Sequence, residues 1–207
     1  MTGQSFTKGN VAFDKSQTKD NLMRAFAGES QARNRYTFAA SQAKKEGLAV
    51  VSQVFTFTAA QEQAHAKAFY KFLQELSGQT ISVDGTYPVD LYPDTLSQLK
   101  AARHNEYQEF EHDYAHFAQV ARQEGFDLIG ARFEMIAKIE KTHGDRFGLF
   151  ADLLEGNRLF DNGEETVWMC LNCGQIITAT AAPQLCPVCS HEQGYFIRLN
   201  LAPFTKG

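Results

Sequence analysis

Residues 62–65 read Glu-Gln-Ala-His and residues 140–143 read Glu-Lys-Thr-His, so a Glu-x-x-His pattern occurs twice, 78 positions apart. The same offset relates identical residues over two long segments. Such a register indicates an internally duplicated helical hairpin, and two hairpins supply four helices. The further identical pairs are Tyr36 and Tyr114, Ala40 and Ala118, Ala43 and Ala121, Glu46 and Glu124, Gly47 and Gly125, Phe55 and Phe133, Ala59 and Ala137, Phe69 and Phe147, and Phe72 and Phe150.

The composition excludes several classes of protein. The 207 residues are 43% hydrophobic, which is enough for a substantial core, and the formal net charge is −4. That charge provides no basic surface for nucleic acid or for an anionic membrane. Residues 1–10 are polar, and no apolar run is long enough to span a bilayer or to act as a signal peptide. We therefore expect a soluble cytoplasmic protein.

Apolar residues recur at alternating spacings of three and four in four segments, which is the pattern of bundle helices. Residues 79–94 carry Gly85, Pro88 and Pro93 without a helical period, which indicates a crossover long enough to run the length of a bundle. The predicted fold is therefore an all-α, ferritin-like four-helix bundle with one long crossover. The helical segments run from Thr18 to Glu46, between Gly47 and Gly78, from Leu96 to Gly125, and from Ile129 to Gly156.

Ionisable side chains interrupt the apolar seam of every predicted helix. Each unpaired buried charge would cost several kcal/mol, so cations must offset the carboxylates. Two divalent or trivalent metal ions would do so, and oxygen-rich ligation with two imidazoles favours iron or manganese. The Glu and His of each motif share a helix face. The seam residues are Glu29, Glu62, His65, Glu106, Glu109, Glu140 and His143.

The repeat leaves one assignment open. The position 78 residues after Glu29 is Tyr107, which lies between Glu106 and Glu109. Periodicity therefore does not decide which of these two glutamates binds metal. Tyr36 and Tyr114 lie on the same stripes, one to two turns from the first carboxylates, so their hydroxyls are candidates for hydrogen bonds to ligand carboxylates.

The four cysteines form two Cys-x-x-Cys pairs separated by twelve residues, Cys170 with Cys173 and Cys186 with Cys189. This spacing is typical of four thiolates that bind one metal tetrahedrally. Zinc and iron both accept that geometry. Spacing alone favours zinc, whereas a neighbouring redox-active metal pair favours iron. We predict a bundle over residues 1–160 and a small β-rich metal domain over 161–207, with strands near 166–168 and 195–199.

The run from Ala27 to Tyr36, the two Glu-x-x-His motifs and the cysteine tail together resemble the rubrerythrin family over nearly the whole chain. This resemblance implies a ferritin-like bundle followed by a rubredoxin-like domain. It implies two irons in the bundle and one iron bound by the four cysteines. It also implies that both Glu106 and Glu109 are ligands, which would resolve the open assignment.

The resemblance implies a role for each ligand. Glu62 and Glu140 would bridge the irons, Glu29 and Glu106 would be terminal, and His143 would hold one iron. The other iron would exchange Glu109 for His65 on reduction. The implied activity is the reduction of hydrogen peroxide to water, with electrons passing from a donor protein, a rubredoxin or an NAD(P)H-dependent reductase, through the rubredoxin-like iron. A homodimer or tetramer with head-to-tail contacts is expected, and the candidate catalytic residues are these seven ligands together with Tyr36 and Tyr114.

Three alternatives remain open at this point. The first is a ferroxidase or iron-handling protein, because the bundle alone has the features of a ferritin. The second is an interaction module with structural metals and a zinc ribbon. The third is a manganese enzyme that disproportionates peroxide without an electron donor.

Overall fold

The computed structural model of the chain describes residues 9–203. Within them the larger part is helical and the smaller part is a three-stranded sheet. The helices are α1 (Gln17–Lys45), α2 (Ala49–Phe72), α3 (Thr95–Gln108), α4 (Tyr114–Gln123) and α5 (Asp127–Glu155), and a π-helical segment (Glu109–Asp113) lies between α3 and α4.

The bundle has four rods, as predicted, because α3, the π segment and α4 follow one another without a break. Residues 79–92 form neither helix nor strand and supply the predicted crossover. The ferritin-like bundle with a β-rich metal domain is therefore confirmed. None of the described helices combines the length and the apolarity needed to cross a bilayer.

The third rod contains an irregularity that the sequence analysis did not foresee. In the π segment the amide of Tyr114 donates to the carbonyl of Glu109, five residues earlier. A π turn accommodates one extra residue in an α-helix. Glu29 and Glu106 lie 77 positions apart, whereas Tyr36 and Tyr114 lie 78 apart. The inserted residue therefore accounts for the slip in the repeat and makes Glu106 the counterpart of Glu29.

Both helical hairpins close through the same backbone turn. Gly47 has φ of 74° and Gly125 has φ of 83°, a left-handed conformation that disfavours any side chain. After each glycine the chain turns back, so that the Leu48 amide donates to the Ala43 carbonyl at 2.9 Å and the Phe126 amide to Ala121 at 2.7 Å. These are the bonds of a glycine-terminated helix end. The repeat therefore extends to the turns.

Each hairpin also caps the first helix of the other one. Glu124 accepts hydrogen bonds from the backbone amides of Gln17 and Thr18, at 2.9 and 2.8 Å, at the start of α1. Its counterpart Glu46 accepts from the amide of Thr95, at 3.0 Å, at the start of α3. A carboxylate at a helix N-terminus satisfies otherwise unpaired amides and opposes the helix dipole. The two glutamates therefore fasten the hairpins together at opposite ends.

The bundle interior consists of two apolar clusters with a polar layer between them. On every rod the ionisable residues lie between the positions that enter one cluster and those that enter the other. The layer is therefore sealed above and below by packed side chains. The upper cluster includes Phe55, Leu99 and Phe147, and the lower cluster includes Leu22, Phe69 and Phe133.

The small domain is an antiparallel sheet with strand order β2-β1-β3. The strands predicted near 166–168 and 195–199 overlap β1 and β3. The second strand was not predicted, because its stability comes from pairing with β1, where Ile177 lies opposite Trp168, and not from its own half-buried sequence. The strands are β1 (Asp161–Cys170), β2 (Ile176–Ala181) and β3 (Phe196–Arg198).

The small domain packs on the α1–α2 turn of its own chain. Gly194 approaches this turn so closely that an added Cβ would fall 1.7 Å from the carbonyl oxygen of Gly47. Ile197 joins the upper cluster of the bundle. The domain boundary at residue 160 stays a prediction, and its outer ends, 1–8 and 204–207, lie outside the described residues.

We expect Glu124→Ala to lower the free energy of unfolding by about 1–2 kcal/mol, because it removes hydrogen bonds to two helix-terminal amides. Glu46→Ala should act similarly, and the effects should add because the sites are at opposite ends of the bundle. The measurement is urea unfolding of the metal-loaded protein. Exposed Glu165→Ala is the control, and equal midpoints for Glu124→Ala and Glu165→Ala would contradict the capping role.

Candidate metal centres

Six of the seven predicted bundle ligands come together in two overlapping groups. Position 1 consists of Glu29, Glu62, His65 and Glu140, and position 2 consists of Glu62, Glu106, Glu140 and His143. In each group the candidate ligand atoms lie within 4.8 Å of one another. Both groups contain Glu62 and Glu140, so these two carboxylates lie between the two positions.

The shared carboxylates divide their oxygens evenly. Glu62 places Oε2 3.2 Å from His65 Nδ1 and Oε1 2.9 Å from His143 Nδ1. Glu140 places Oε1 3.0 Å from His65 Nδ1 and Oε2 2.9 Å from His143 Nδ1. The two imidazole rings are nearly parallel, with centroids 5.6 Å apart. Each shared carboxylate therefore offers one oxygen to each position, as a pair of bridging ligands would.

The terminal carboxylates are held by tyrosines from the opposite hairpin. Tyr114 donates to Glu29 Oε1 at 2.6 Å, and Tyr36 donates to Glu106 Oε1. Both tyrosines are 2% exposed, so these bonds form away from water. The two bonds are crossed: Tyr114 lies on the rod of Glu106 but donates to Glu29, and Tyr36 lies on the rod of Glu29 but donates to Glu106. The pair of bonds therefore follows the internal repeat. Each hydroxyl therefore fixes one carboxylate oxygen and leaves the other free to face a metal.

Burial and mutual repulsion perturb the pKa values of this layer strongly. Burial, with Glu140 nearby, raises the pKa of Glu29 well above its usual range, and burial beside Glu62 raises that of Glu106 to about 8. Burial opposes charge on His143, but the facing carboxylates of Glu106, Glu140 and Glu62 raise its pKa to about 11. Glu106 and His143 thus hold protons at neutral pH, whereas the two imidazoles lower the pKa of Glu62 to about 2. A metal ion would displace these protons.

The ligand atoms also lack other partners. Among the described residues, Glu29 Oε2, Glu62 Oε1, Glu106 Oε2 and both oxygens of Glu140 make no hydrogen bond. Unpaired acceptors in a dry layer are costly, and cations at the two positions would satisfy them. Four carboxylates with two imidazoles are hard and borderline ligands that suit iron or manganese. The residues therefore fit a carboxylate-bridged metal pair.

Glu109 is the predicted ligand that the structure leaves outside both groups. It lies on the π segment and lines a cavity of about 650 Å³ between α1, the crossover and the third rod. Burial, together with Glu29 and Glu106, raises its pKa well above the usual range. His65, and not Glu109, belongs to the residues of position 1. Other residues around the cavity are Arg24, Gly28, Tyr87, Tyr114 and Phe117.

This cavity was not predicted from the sequence. Gly28 lies in the run from Ala27 to Tyr36 but was assigned no role, Tyr87 carries no motif, and the crossover was recognised only by its lack of a helical period. The one signal was the slip in the repeat, because an inserted residue in a helix frequently marks a functional site. The cavity depends on how the crossover crosses α1, which is a long-range contact.

The four cysteines form a third compact group, and its first member, Cys170, is the last residue of the central strand β1. None is disulfide-bonded; the Sγ atoms of Cys170 and Cys189 are 3.7 Å apart, and those of Cys173 and Cys186 are 3.6 Å apart. Four sulfurs around an ion at about 2.3 Å would be separated by roughly 3.8 Å in a tetrahedron. A backbone hydrogen bond from His191 lowers the pKa of Cys189 to about 6. The spacing of the sulfurs therefore suits a tetrahedral metal.

Comparison with known proteins supports both centres. The family described as Rubrerythrin matches residues 20–150, and the family described as Rubrerythrin, rubredoxin-like domain, matches residues 168–197. The chain is 46% identical to a rubrerythrin of Clostridium perfringens over 87% of its length and 93% of the relative's. It is 43% identical to a rubrerythrin of Porphyromonas gingivalis, over 95% of this chain and 96% of that one.

Solved structures of nigerythrin share the fold. The fully reduced, all-ferrous form has a TM-score of 0.60 at 22% identity and covers 95% of this chain and 94% of that chain. The glutamate and histidine cluster is accordingly a di-iron site, and the four cysteines form a rubredoxin-like iron site. Two matched domains and relatives that span nearly the whole chain show that this protein belongs to the rubrerythrin family.

Proposed function

We propose that this protein, an iron-dependent oxidoreductase by family, reduces hydrogen peroxide to two molecules of water with two electrons and two protons. The observation that carries this proposal is the pair of positions bridged by both Glu62 and Glu140 beside a cavity open to small molecules. The bound irons supply the two electrons and the Lewis acidity that weakens the O–O bond. The chain supplies the geometry, the dry layer and the protons.

The cavity offers peroxide an access route to the metal pair. Its lining includes Glu109 and Tyr114, and Tyr114 is hydrogen-bonded to Glu29 of position 1. Burial and the nearby carboxylates of Glu29 and Glu106 raise the pKa of Glu109, which favours the protonated carboxyl group that can donate to a departing hydroxide. We further propose that Glu109 replaces His65 at position 1 on oxidation, because added positive charge at the metal favours a carboxylate.

Electron delivery is proposed to occur between subunits. The small domain packs at the α1–α2 turn, and α1 rises about 24 Å from Glu29 to its end at Lys45. The cysteine site of a chain is therefore far from its own metal pair. Leu185 and Val188 beside the cysteines are 58% and 65% exposed and offer an apolar contact surface. A head-to-tail homodimer, alone or within a tetramer, would bring this surface to the neighbouring bundle.

The donor is proposed to be a rubredoxin or an NAD(P)H-dependent reductase, and the location cytoplasmic, where reducing conditions keep cysteine pairs available for metal. An exposed Cys173 gives a donor access to the thiolate-bound iron. Ferroxidase activity needs no such electron input, and a structural zinc ribbon would give none. Donor-dependent turnover therefore separates the proposal from both alternatives.

Glu62→Ala should abolish donor-dependent peroxide reduction, with a loss of roughly 100-fold or more, because one carboxylate bridges both irons. Iron content should fall from about three per chain towards the one held by the cysteines. Iron analysis and peroxide turnover with a reduced donor provide the measurement. Exposed Gln63→Ala on the same helix is the matched control. A Glu62→Ala protein that kept the wild-type rate would contradict the assignment of Glu62 as a shared metal ligand needed for peroxide reduction.

Gly28→Leu should lower kcat/KM for peroxide by about tenfold with iron content unchanged, because its side chain would fill the cavity. Gly28→Ala is the matched control, since an added Cβ would lie 3.6 Å from Tyr87 Cε1, an ordinary contact. Steady-state kinetics at several peroxide concentrations distinguish the two variants. An unchanged kcat/KM in Gly28→Leu would show that peroxide enters elsewhere.

Mixing subunits tests the electron path. Glu62→Ala destroys the metal pair and Cys170→Ser destroys the cysteine site, so each homodimer should be inactive. Co-expressed subunits should recover about a quarter of the wild-type rate, because half of the dimers are mixed and each has one intact path between chains. The activity of the purified mixture is measured with a reduced donor. No recovery in a verified mixed dimer would place the path within one chain.

A further inference from the structure

Arg146 is a half-buried cation on α5 that none of the roles above uses. It lies three residues after His143, and its Nη1 donates to Thr58 Oγ1 at 2.9 Å and to Gln61 Oε1 at 3.0 Å on α2. Its guanidinium also lies 5.1 Å from the ring centroid of Phe57. Both hydrogen-bond partners are neutral, and among the described residues no carboxylate forms an ion pair with it. Its charge is therefore not neutralised by direct contact.

The field of this charge reaches one side of the metal pair. Burial lowers the pKa of Arg146, whereas the nearby carboxylates of Glu106 and Glu62 raise it. Glu106 is the terminal ligand of position 2, and Glu62 is shared. Arg146 also lies about one helical turn after His143, the imidazole that belongs to position 2 and not to position 1. In a partly buried setting such an interaction is screened less than at the surface.

The internal repeat reveals the asymmetry. The residues that correspond to Arg146, Thr58 and Gln61 in the other half are Ala68, Ile136 and Ile139. Ala68 is half-buried and packs against the lower cluster, and Ile136 belongs to that cluster. Position 2 therefore has an outer cation with two polar partners, where position 1 has three apolar residues. The candidate metal ligands nearly follow the internal repeat, but the residues around them do not.

We propose that Arg146 makes the two irons electronically unequal, so that the first electron to enter the oxidised pair resides on the iron at position 2. A nearby positive charge destabilises ferric relative to ferrous iron, which raises the reduction potential of the closer site. One electron from the donor converts that iron from ferric to ferrous, and the iron at position 1 stays ferric until the second electron arrives. Arg146 is a positioning residue for charge and touches neither iron nor substrate. The inference needs the di-iron site but not the proposed peroxide reduction.

The test is a reductive titration of the iron-loaded protein, followed by electron paramagnetic resonance of the one-electron-reduced pair. Arg146→Gln should lower the first midpoint potential and reduce the maximal fraction of the one-electron-reduced pair severalfold. Arg146→Lys keeps the charge and should retain most of that fraction. Lys141→Gln is the matched control, because it removes a cation from the exposed face of the same helix, where Lys141 pairs with Asp145. The potential of the cysteine-bound iron serves as an internal reference and should not move.

A second variant adds a charge and leaves Arg146 in place, so its result does not depend on whether the protein folds without Arg146. Ala68→Arg places a cation at the corresponding site beside position 1, and it should also reduce the maximal one-electron fraction by making the two positions alike. An unchanged fraction in an iron-replete Arg146→Gln or Ala68→Arg protein would overturn the proposal. An equal loss in Arg146→Lys and Arg146→Gln would overturn it too, because that result would show a role in packing and not in charge.

Discussion

Charge balance in a dry layer is the constraint on which this structure depends. Four carboxylates and two imidazoles from four rods meet between two apolar clusters, with exposures of 8% or less. Neither water nor surface cations can neutralise them there, so protons or metal ions must. Because Glu62 and Glu140 belong to both groups, ions held at the two positions would share these carboxylates, which would set their spacing. The surrounding bundle holds that spacing constant.

The two helical hairpins are copies of each other. Their turns, caps and tyrosine bonds match closely, and they differ near the candidate metal positions. The glycine turns, the capping pair Glu46 and Glu124, and the crossed tyrosine bonds all obey the repeat. The π segment breaks it by one residue and brings Glu109 to the cavity. Arg146 also departs from the repeat, because the corresponding residue of the other hairpin, Ala68, carries no charge. A framework that has been duplicated provides two similar metal positions, and these local departures make the surroundings of the two positions different.

The placement of the small domain adds a constraint on assembly. Gly194 fits against the carbonyl of Gly47 without space for a methyl group, and Ile197 extends the upper cluster. The cysteine site is thereby fixed at the end of the bundle, away from the midpoint where the metal pair lies. This separation of the cysteine site from the metal pair within one chain is a geometric reason for the proposed association of subunits.

Local periodicity determined much of this protein. Spacings of three and four, the offset of 78 and the cysteine pairs were sufficient for the four rods, the crossover and the cysteine site, because helix geometry and metal ligation are short-range rules. Sequence alone left Glu106 and Glu109 unresolved, missed β2 and overlooked Arg146. Tertiary structure decided these features, because a π turn, strand pairing and the field of a charge depend on contacts between distant segments. For the same reason only the fold shows Glu109 facing a cavity while His65 faces the metal position.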